Sequence, residues 1–276
     1  MKINNEILTS RQNPTVKWAA SLTEKKHRDA HRAFLAEGEK LTFEAAEAGL
    51  DITHVFVAQS KKERLFPKIK AVFSADKYEK CMLIIVSDDV LSKISTEKAP
   101  QGIISIIKYL DFFDELDIIY KEDFFLGKDE RAIALCSLRD PGNLGSVIRS
   151  SVAFGVDHIV LTSDSADLYN PKTVRSAMGS LFRVKATVVK DFSSFISAAK
   201  AVGRRVFAAE LTENAVSLGN VGATAQDVFI IGNEGHGIPA DVSSLCSGSV
   251  YIPISKKTES LNASVAAAIF MWEQGK

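Results

Sequence analysis

Three polar segments in the C-terminal half of the chain carry the side chains best suited to chemistry. They are residues 139–149 (RDPGNLGSVIR), 229–239 (FIIGNEGHGIP) and 250–262 (VYIPISKKTESLN). Each is associated with an apolar strand pattern, and the third predicts a strand over 250–254 and a helix that opens near Asn262. A helix start has unpaired N–H groups and a positive dipole end. The segments therefore predict a site for a polar ligand.

Five side chains of these segments are candidates for a reactive site: Asn143, Arg149, Glu234, Ser260 and Asn262. Considered alone, four of them also have an ordinary structural explanation. Arg149 fits the exposed face of an amphipathic helix. Glu234 fits a turn, Asn143 fits a cap before a helix, and Asn262 fits an N-cap, which asparagine favours. The residue types by themselves leave these alternatives open.

The glycine-containing segments do not match the common nucleotide-binding motifs. A dinucleotide-binding domain needs G-x-G-x-x-G after its first strand, and residues 142–145 (GNLG) depart from that pattern. The sequence also contains no G-K-[ST] phosphate loop. Dinucleotides and nucleoside triphosphates are therefore poorly supported as ligands.

Apolar segments alternate with helical patterns through residues 132–276, which predicts an α/β fold with a parallel sheet covered on both faces. The predicted strands are residues 132–136, 158–162, 184–189, 205–210 and 228–231. Ligands of such sheets bind beyond the carboxyl ends of the strands. We therefore expect the Asn143, Glu234 and Ser260 loops to converge.

Residues 1–107 predict a smaller α/β domain with a basic surface. Its strands are predicted over 52–58, 82–86 and 102–107, and a helix that begins near Pro14 ends in a cationic cluster within residues 25–32. Residues 1–110 carry 18 Lys and Arg against 14 Asp and Glu, whereas the whole chain has no net charge. This surplus is a weak indication of nucleic acid, since charged surfaces are commonly only solvated.

Residues 108–131 predict an acidic linker between the domains. Residues 111–131 hold 8 Asp and Glu against 3 Lys and Arg, interleaved with phenylalanine and isoleucine. The simplest interpretation is a short amphipathic helix that covers apolar surface on either domain.

The composition of the 276-residue chain indicates a globular protein, since 46% of its residues are hydrophobic. Neither the five histidines nor Cys81, Cys136 and Cys246 have metal-ligand spacing, so we expect reduced cysteines and no metal. There is no apolar run of membrane-spanning length, and the N-terminus lacks a signal-peptide core. A cytoplasmic protein without a membrane segment is the resulting expectation.

Together, the three C-terminal segments resemble the three motifs of the SpoU/TrmH-type RNA ribose 2′-O-methyltransferases, a branch of the SPOUT superfamily. The motif N-x-G-x-x-x-R matches residues 143–149, G-x-E-x-x-G matches 232–237, and I-P-(loop)-S-L-N matches 252–262. All three occur in the family's order. The N-terminal part resembles the family's substrate-binding domain, which is similar to L30e-like RNA binders, through residues 10–17, 26–28 and 34–40.

This resemblance implies a SPOUT methyltransferase domain over residues 132–276, with a C-terminal trefoil knot that binds S-adenosylmethionine, and an RNA-binding domain over 1–107. It implies a homodimer as well. The positions that match the family's catalytic residues are Asn143, Arg149, Glu234, Ser260 and Asn262. The positions implied for the cofactor are Gly232, Ile252, Leu261 and Leu211, and those implied for RNA are Arg11, Asn13, Lys17, Lys26, Arg28 and Arg175.

The implied reaction is attack by a ribose 2′-hydroxyl on the sulfonium methyl group, with no metal. An arginine is a poor general base because it keeps its proton in proteins. We therefore expect either that Arg149 stabilises developing negative charge or that an RNA phosphate assists proton removal. Large-subunit ribosomal RNA is favoured over transfer RNA by resemblance. A non-catalytic RNA-binding relative and an α/β enzyme for a small metabolite remain alternatives.

Overall fold

The structure is a computed structural model that describes residues 1–73, 76–233 and 235–276. The chain forms two compact units. The first comprises Met1–Leu110 and Asp167–Phe182, and the second comprises Asp111–Ala166 and Arg183–Lys276. Among the residues described, no helix is long and apolar enough to cross a membrane.

The first unit is built on a mixed sheet. Its elements are β1 (Lys2–Leu8), α1 (Pro14–Ser21), α2 (Lys25–His31), β2 (Ala33–Glu37), α3 (Glu39–Glu47), β3 (Ile52–Ala58), α4 (Lys62–Val72), β4 (Met82–Val86), α5 (Asp88–Ile94), β5 (Ile103–Lys108) and α7 (Pro171–Ala177). Over the described residues the strand order is β1-β4-β3-β5-β2. Strands β1, β4 and β3 run parallel, and β5 is antiparallel to β3 and β2.

Successive side chains of a strand point to opposite faces, so the apolar side chains on both faces of this sheet need helices to bury them. On one face, Val16 of α1, Leu22 at the C-cap of α1 and Val90 of α5 pack in a buried core with Phe56 of β3. On the other face, the buried hydroxyls of Thr42 in α3 and Ser105 in β5 share a hydrogen bond of 2.8 Å. Full burial of one large apolar side chain stabilises a fold by about 1.5–3 kcal/mol. The first unit therefore has an apolar core of its own.

The segment Asp167–Phe182 belongs to the first unit, although its sequence lies between two strands of the second. Tyr169 stacks on Tyr109 with ring centroids 3.9 Å apart, and its hydroxyl accepts a hydrogen bond of 2.8 Å from the Leu110 N–H. This grouping differs from the predicted second domain, residues 132–276. The physical reason is that the aromatic contacts of Tyr169 lie with residues of the first unit.

Arg28 of α2 is buried in the first unit, with 2% of its side chain exposed. Its guanidinium donates to the carbonyl oxygens of Leu22 and Thr23 at 2.9 and 2.7 Å, and to Asp167 Oδ2 at 2.5 Å. These contacts correct the prediction that Arg28 binds RNA, because its side chain is buried and three of the four hydrogens on its terminal nitrogens face acceptors within the protein. Arg28 instead links Asp167 to the turn between α1 and α2 through these hydrogen bonds.

The second unit is an α/β fold with a parallel sheet, as predicted. Its elements are β6 (Phe113–Leu116), β7 (Ala132–Leu135), α6 (Pro141–Ala153), β8 (His158–Thr162), β9 (Lys185–Val189), α8 (Phe192–Ala201), β10 (Val206–Ala209), β11 (Val216–Ser217), β12 (Val228–Ile231), α9 (Ala240–Leu245), β13 (Gly248–Tyr251) and α10 (Ala263–Gln274). In the described part of the chain, the order is β11-β13-β10-β12-β7-β8-β9-β6 and neighbouring strands pair in parallel. Their carboxyl ends therefore share one edge.

Two edge strands differ from the sequence expectations. The sequence does not predict β1, because residues 2–8 lack a run of apolar residues. In the structure, Ile3 and Ile7 of this strand are 38% and 40% exposed. β6 lies inside the predicted linker, residues 108–131, and pairs in parallel with β9. Ile119 of the same stretch is buried in the core of the second unit. This acidic stretch therefore extends the sheet and core of the second unit instead of only connecting two domains.

Two element boundaries also shift. The helix predicted from Pro14 into the cationic cluster is two helices, since the N–H groups of Leu22 and Thr23 turn to carbonyls three residues back. The strand predicted over 250–254 is β13, which begins at Gly248 and ends at Tyr251. It stops there because Pro253 has no N–H to give to a sheet.

Replacement of Arg28 by methionine is expected to destabilise the first unit by about 3–5 kcal/mol, because the partly buried Asp167 would lose its charge partner. Lys26→Met, an exposed cation on the same helix, is the matched control and should change stability by less than about 0.5 kcal/mol. Urea-dependent hydrogen exchange of first-unit peptides in the full chain measures these values. Equal stabilities for the two variants would contradict the role given to Arg28.

Candidate active site

The carboxyl edge of the second unit's sheet contains a cavity of about 280 Å³. Its walls come from the ends of β10, β12 and β13, from the loops that follow them, and from α10. The residues that line it are Ala209, Glu210, Leu211, Ile231, Gly232, Asn233, Gly237, Val250, Tyr251, Ile252, Ile254, Ser260, Leu261, Ala263, Ala266 and Phe270. The lining is mainly apolar, which suits a ligand with an apolar body whose polar groups meet a few fixed partners.

All four residues that the sequence predicts for the cofactor line this cavity. Leu211 follows β10 and is 78% exposed, Gly232 follows β12, and Ile252 follows β13. Leu261 lies just before α10, and the predicted catalytic Ser260 also contributes to the lining. Three loops that are distant in sequence thus meet at one cavity, as the parallel order of their strands requires.

The loop after β12 closes tightly on Gly232. Asn233 and Gly237 exchange backbone hydrogen bonds of 3.1 and 2.8 Å, and Gly237 has a φ of +65°. A Cβ on Gly232 would lie 2.5 Å from the Gly237 carbonyl carbon, a distance at which the backbone must move. Only glycine therefore fits at this position without displacing the loop. Glu234, predicted to be catalytic, lies outside the described residues.

Asn262 joins the N-terminal ends of two helices. As the N-cap of α10, its Oδ1 accepts from the N–H groups of Ser264 and Val265 at 3.0 and 3.4 Å. Its Nδ2 donates to Asn143 Oδ1 in α6 at 3.0 Å. Asn143 lies in the first turn of α6, where Asp140 is the cap and accepts from the Asn143 N–H at 2.8 Å. Asn143 is therefore not the cap that one alternative proposed, and its side chain bridges the two helices.

The other ends of α6 and α10 are held together by Arg131. Its guanidinium donates to the carbonyl oxygen of Phe154, after α6, at 2.6 Å and to that of Met271, in α10, at 2.8 Å. Carbonyls at a helix C-terminus lack partners within the helix and favour a cation. The two helices that carry Asn143 and Asn262 are thus fastened near both ends.

Arg149 is exposed on α6 and is not brought to the Asn143–Asn262 hydrogen bond. Arg149 lies six residues after Asn143 on α6, so its side chain is rotated by about 120° around the helix and displaced by about 9 Å along the helix axis relative to that of Asn143. The second unit alone therefore joins the two asparagines by a hydrogen bond and places Ser260 in the cavity lining, but leaves the Arg149 guanidinium facing solvent.

Two of the predicted RNA-binding residues on the first unit are exposed lysines. Neither Lys17 nor Lys26 forms an ion pair with the carboxylates that the structure describes. Asn13 has a local role as the N-cap of α1, where its Oδ1 accepts from the Thr15 N–H at 2.8 Å.

The two remaining arginine candidates are already paired on the first unit. Arg11 lies 3.1 Å from Asp89, and more than half of each side chain is exposed. Arg175 lies 3.2 Å from Glu97, with 37% of its side chain exposed. Exposed pairs of this kind contribute about 0–1 kcal/mol, so either arginine can exchange its carboxylate for a phosphate at little cost.

The titratable side chains near the sheet are not nucleophiles. Burial raises the pKa of the Cys136 thiol, and it raises the pKa of the Cys246 thiol to about 11. Both thiols are therefore protonated at neutral pH and react slowly. Burial lowers the pKa of the His158 imidazole to about 4, so this histidine is a neutral core residue bonded to Thr187. Across the described ranges, no group of three or more acidic, histidine or cysteine residues is placed to hold a metal ion.

Some cavity residues were not predicted from the sequence. Asn233 anchors the loop after β12, because its Nδ2 donates to the Ser137 carbonyl at 2.9 Å and its Oδ1 accepts from the Gly235 N–H at 2.8 Å. Asparagine commonly makes such turns within a glycine-rich loop, which was an available signal. Ala263 and Ala266 of α10 form a wall of the cavity. In the sequence they look like ordinary helix residues.

The second unit and its site define an α/β protein with a ligand cavity at the carboxyl edge of a parallel sheet. The sequence profile of the SpoU rRNA Methylase family matches residues 130–272, and that of the MRM3-like substrate binding domain matches residues 13–105. The chain therefore belongs to the SpoU rRNA methylase family. The resemblance that the three motifs indicated is confirmed.

Relatives match nearly the whole chain. The 23S rRNA (guanosine(2553)-2′-O)-methyltransferase RlmP of Bacillus subtilis is 29% identical over 265 residues, which cover 96% of this chain and 97% of that protein. The 23S rRNA (uridine(2479)-2′-O)-methyltransferase of Streptomyces viridochromogenes is 27% identical over 272 residues, 96% of this chain and 90% of that one. The AdoMet-bound rRNA methyltransferase from Sinorhizobium meliloti has a TM-score of 0.82 at 29% identity, covering 99% and 97% of the two chains.

Two replacements of Asn262 separate its role as a cap from its contact with Asn143. Asn262→Ala should lower the free energy of unfolding by about 1 kcal/mol, because the cap acceptor is lost. Asn262→Asp keeps an equally good acceptor and should stay within about 0.5 kcal/mol of the wild type, although it cannot donate to Asn143 Oδ1. Urea unfolding compares the two. Equal destabilisation by both changes would show that the cap is not the stabilising contact.

Proposed function

We propose that this protein transfers the methyl group of S-adenosylmethionine to the ribose 2′-hydroxyl of a nucleotide in large-subunit ribosomal RNA. The observation that carries the proposal is the meeting of Gly232, Ile252 and Leu261 at one cavity next to the Asn143–Asn262 hydrogen bond. Membership of the SpoU rRNA methylase family supports the reaction, and two relatives named for 23S rRNA support the class of RNA.

The cavity has features that fit S-adenosylmethionine. Its apolar walls suit an adenine ring and an aliphatic chain, and the close turn at Gly232 is a cradle that a Cβ would fill. We assign Gly232, Ile252 and Leu261 to the cofactor, with Leu211 at the exposed rim. When bound, the cofactor supplies a methyl group activated by a positively charged sulfur.

The polar residues are assigned to the ribose. Asn143 and Asn262 position its hydroxyl at the helix ends, and Ser260 contributes a further hydroxyl. Because an arginine keeps its proton in proteins, Arg149 stabilises negative charge on the 2′-oxygen as the proton passes to solvent or to an adjoining RNA phosphate. Glu234 orients Arg149 or the ribose. On the first unit, Lys17 and Lys26 contact RNA phosphates, and Arg11, Asn13 and Arg175 are further candidates.

We propose that the protein is a homodimer. Val265 and Trp272, seven residues apart on one face of α10, are 47% and 57% exposed, and exposed apolar side chains that share a surface are typical of a protein interface. The exposed Arg149 supports the same proposal, because a second copy can complete a site that one chain leaves open. Sedimentation equilibrium of the purified chain tests it, and a monomer at tens of micromolar would contradict it.

Two further family features are proposals for this chain. One is a trefoil knot around the cavity, supported by the insertion of β13 between β10 and β11 after the chain has returned through β12. A crystal structure traced through residues 205–262 tests it, since an unthreaded path would exclude the knot. The other is a cytoplasmic location, which cell fractionation tests; recovery outside the cytoplasm would contradict it.

The experiment that tests the function is methyl transfer. The purified protein is incubated with labelled S-adenosylmethionine and total RNA from cells that lack its gene, and ribosomal RNA is then separated from transfer RNA. Label in large-subunit RNA, resistant to alkali at one dinucleotide, is the expected result. Label in transfer RNA would overturn the proposed substrate. An unlabelled RNA pool, with assembly intermediates included, would overturn the proposed reaction.

Arg149→Ala is expected to lower kcat by about 100- to 1000-fold, the usual loss when one group that stabilises transition-state charge is removed. Cofactor affinity should stay within about twofold, because Arg149 does not line the cavity. Arg149→Lys keeps a positive charge and should recover part of kcat. Single-turnover kinetics and calorimetric titration measure the two quantities. A loss of cofactor binding without a loss of single-turnover rate would contradict this assignment.

Gly232→Ala is expected to abolish measurable binding of S-adenosylmethionine, because the added Cβ must displace the Gly237 backbone. Gly219→Ala is the matched control, since a Cβ at Gly219 meets nothing within 4 Å. Isothermal titration calorimetry gives both affinities. Normal binding by Gly232→Ala would show that the closed loop is not part of the cofactor site.

A further inference from the structure

Three aromatic rings meet on the first unit, outside the cavity described above. The Trp18 ring of α1 lies 6.0 Å from that of His31, at the end of α2, and 4.9 Å from that of His54 in β3. The interplanar angles are 86° and 61°, so the ring faces point in different directions. His31 is exposed, whereas Trp18 and His54 are half-buried. Each of the three residues is therefore at least partly accessible to solvent.

Lys108 lies directly beside these rings. Its Nζ donates to the His31 carbonyl at 3.4 Å, and its charge acts on His54. Arg32 and Lys17 are the chain neighbours of His31 and Trp18, and both are exposed. Trp18, His31, His54 and Lys108 are called the Trp18 surface from here on.

The cations around the Trp18 surface differ from others on this unit. Lys25 is paired with Asp29 at 2.9 Å, and Lys68 with Glu39 at 2.5 Å. By contrast, Lys17, Arg32 and Lys108 have no ion pair with any carboxylate in the described parts of the first unit. Unpaired cations repel one another, so this arrangement favours a negatively charged ligand.

The histidines do not act as the source of this positive charge. Burial, and then the charge of Lys108, lowers the pKa of the His54 imidazole. His54 is therefore neutral at pH 7; its Nδ1 shares a hydrogen bond of 3.1 Å with Thr53 Oγ1, which leaves Nε2 to meet a ligand. A neutral ring beside an indole and a lysine combines a stacking surface, hydrogen-bonding groups and a phosphate contact.

We propose that the Trp18 surface binds an unpaired nucleobase of the RNA substrate, with Lys108 on the adjoining phosphate. The inference rests on the proposed function, because it assumes an RNA substrate. Proteins recognise single-stranded RNA by stacking bases on aromatic side chains while cations follow the backbone. A packing role alone would explain the buried part of Trp18 and the position of Arg32, which lies over the Tyr109 ring at 5.0 Å. It would not explain why the exposed His31 stands beside Lys17 and Lys108, which form no ion pair with the described carboxylates of the first unit.

The test uses Trp18 as its own reporter. The chain has two tryptophans, so Trp272→Phe leaves Trp18 as the only indole. In this background, titration with a single-stranded decaadenylate RNA should quench the Trp18 fluorescence to saturation, because the base stacks on the ring. An abasic ribose-phosphate oligomer of equal length should bind more weakly and leave the fluorescence unchanged. Equal binding of the two oligomers without quenching would overturn the proposal in favour of phosphate contact alone.

Three variants of the full chain extend the test. Trp18→Leu should weaken binding of decaadenylate by about fivefold or more, and Trp18→Phe should restore most of it. Lys108→Gln should reduce the slope of log affinity against log salt by about 0.7, the value for one phosphate of a single strand. The matched control is Phe66→Leu, since Phe66 in α4 also lies under two lysines, at 5.7 and 5.0 Å. It should leave affinity within twofold.

Methyl transfer separates this inference from the proposed function. If the wild-type protein methylates RNA while Trp18→Leu and Lys108→Gln retain full affinity for decaadenylate, the Trp18 surface is not a base site and the function stands. If the wild-type protein binds decaadenylate through Trp18 but methylates no RNA, the base site stands and the function fails. Thermal unfolding of each variant verifies that its fold is intact, and Lys108→Gln, at an exposed side chain, remains informative if Trp18→Leu unfolds.

Discussion

The parallel direction of the strands in the second unit determines where its chemistry can take place. Parallel neighbours cannot be joined by short hairpins, so each connection crosses over the sheet, usually as a helix. The carboxyl ends of β7, β10, β12 and β13 consequently open at one edge, although their loops are far apart in sequence. That edge is where the cavity lies. Gly232, Ile252 and Leu261 meet there because of strand direction, and no local motif could bring them together.

The last helix turns this open edge into a defined site. At its C-terminal end, Arg131 holds Met271, and the Gln274 side chain donates to the Asp227 carbonyl at 2.6 Å. At its N-terminal end, Asn262 both caps the helix and reaches Asn143. A helix fixed at both ends cannot slide along the sheet. The wall formed by Ala263 and Ala266 therefore stays at a fixed distance from the loop after β12, which is the preorganisation that a cofactor site requires.

The sequence predicts which residues gather at the cavity better than it predicts the domain edges. Asn262 and Gly232 are recognisable because a glycine-rich turn and a helix cap have strict local requirements, and three such motifs in one order are specific. Arg28 is different, since a cationic helix end looks the same whether its arginine faces solvent or the partly buried carboxylate of Asp167. Strand β6 in the acidic stretch 108–131 is not recognisable from the sequence for a similar reason. An edge strand pairs with only one neighbour and buries little surface, so it needs no apolar run. Contacts distant in sequence decide these cases.

The formal charge of the chain says little about its capacity to bind RNA, since pairing decides which cations are available. Arg28 and Arg204 are buried, and most of their hydrogen bonds go to backbone carbonyl oxygens within their own units. Such arginines count toward the sum of charges without attracting a phosphate. Lys17, Arg32 and Lys108 contribute no more to that sum, yet they remain solvated and without carboxylates among the described residues. A neutral protein can therefore present a locally cationic surface, and the aromatic rings beside these cations provide what a phosphate contact alone lacks, a means of holding a base.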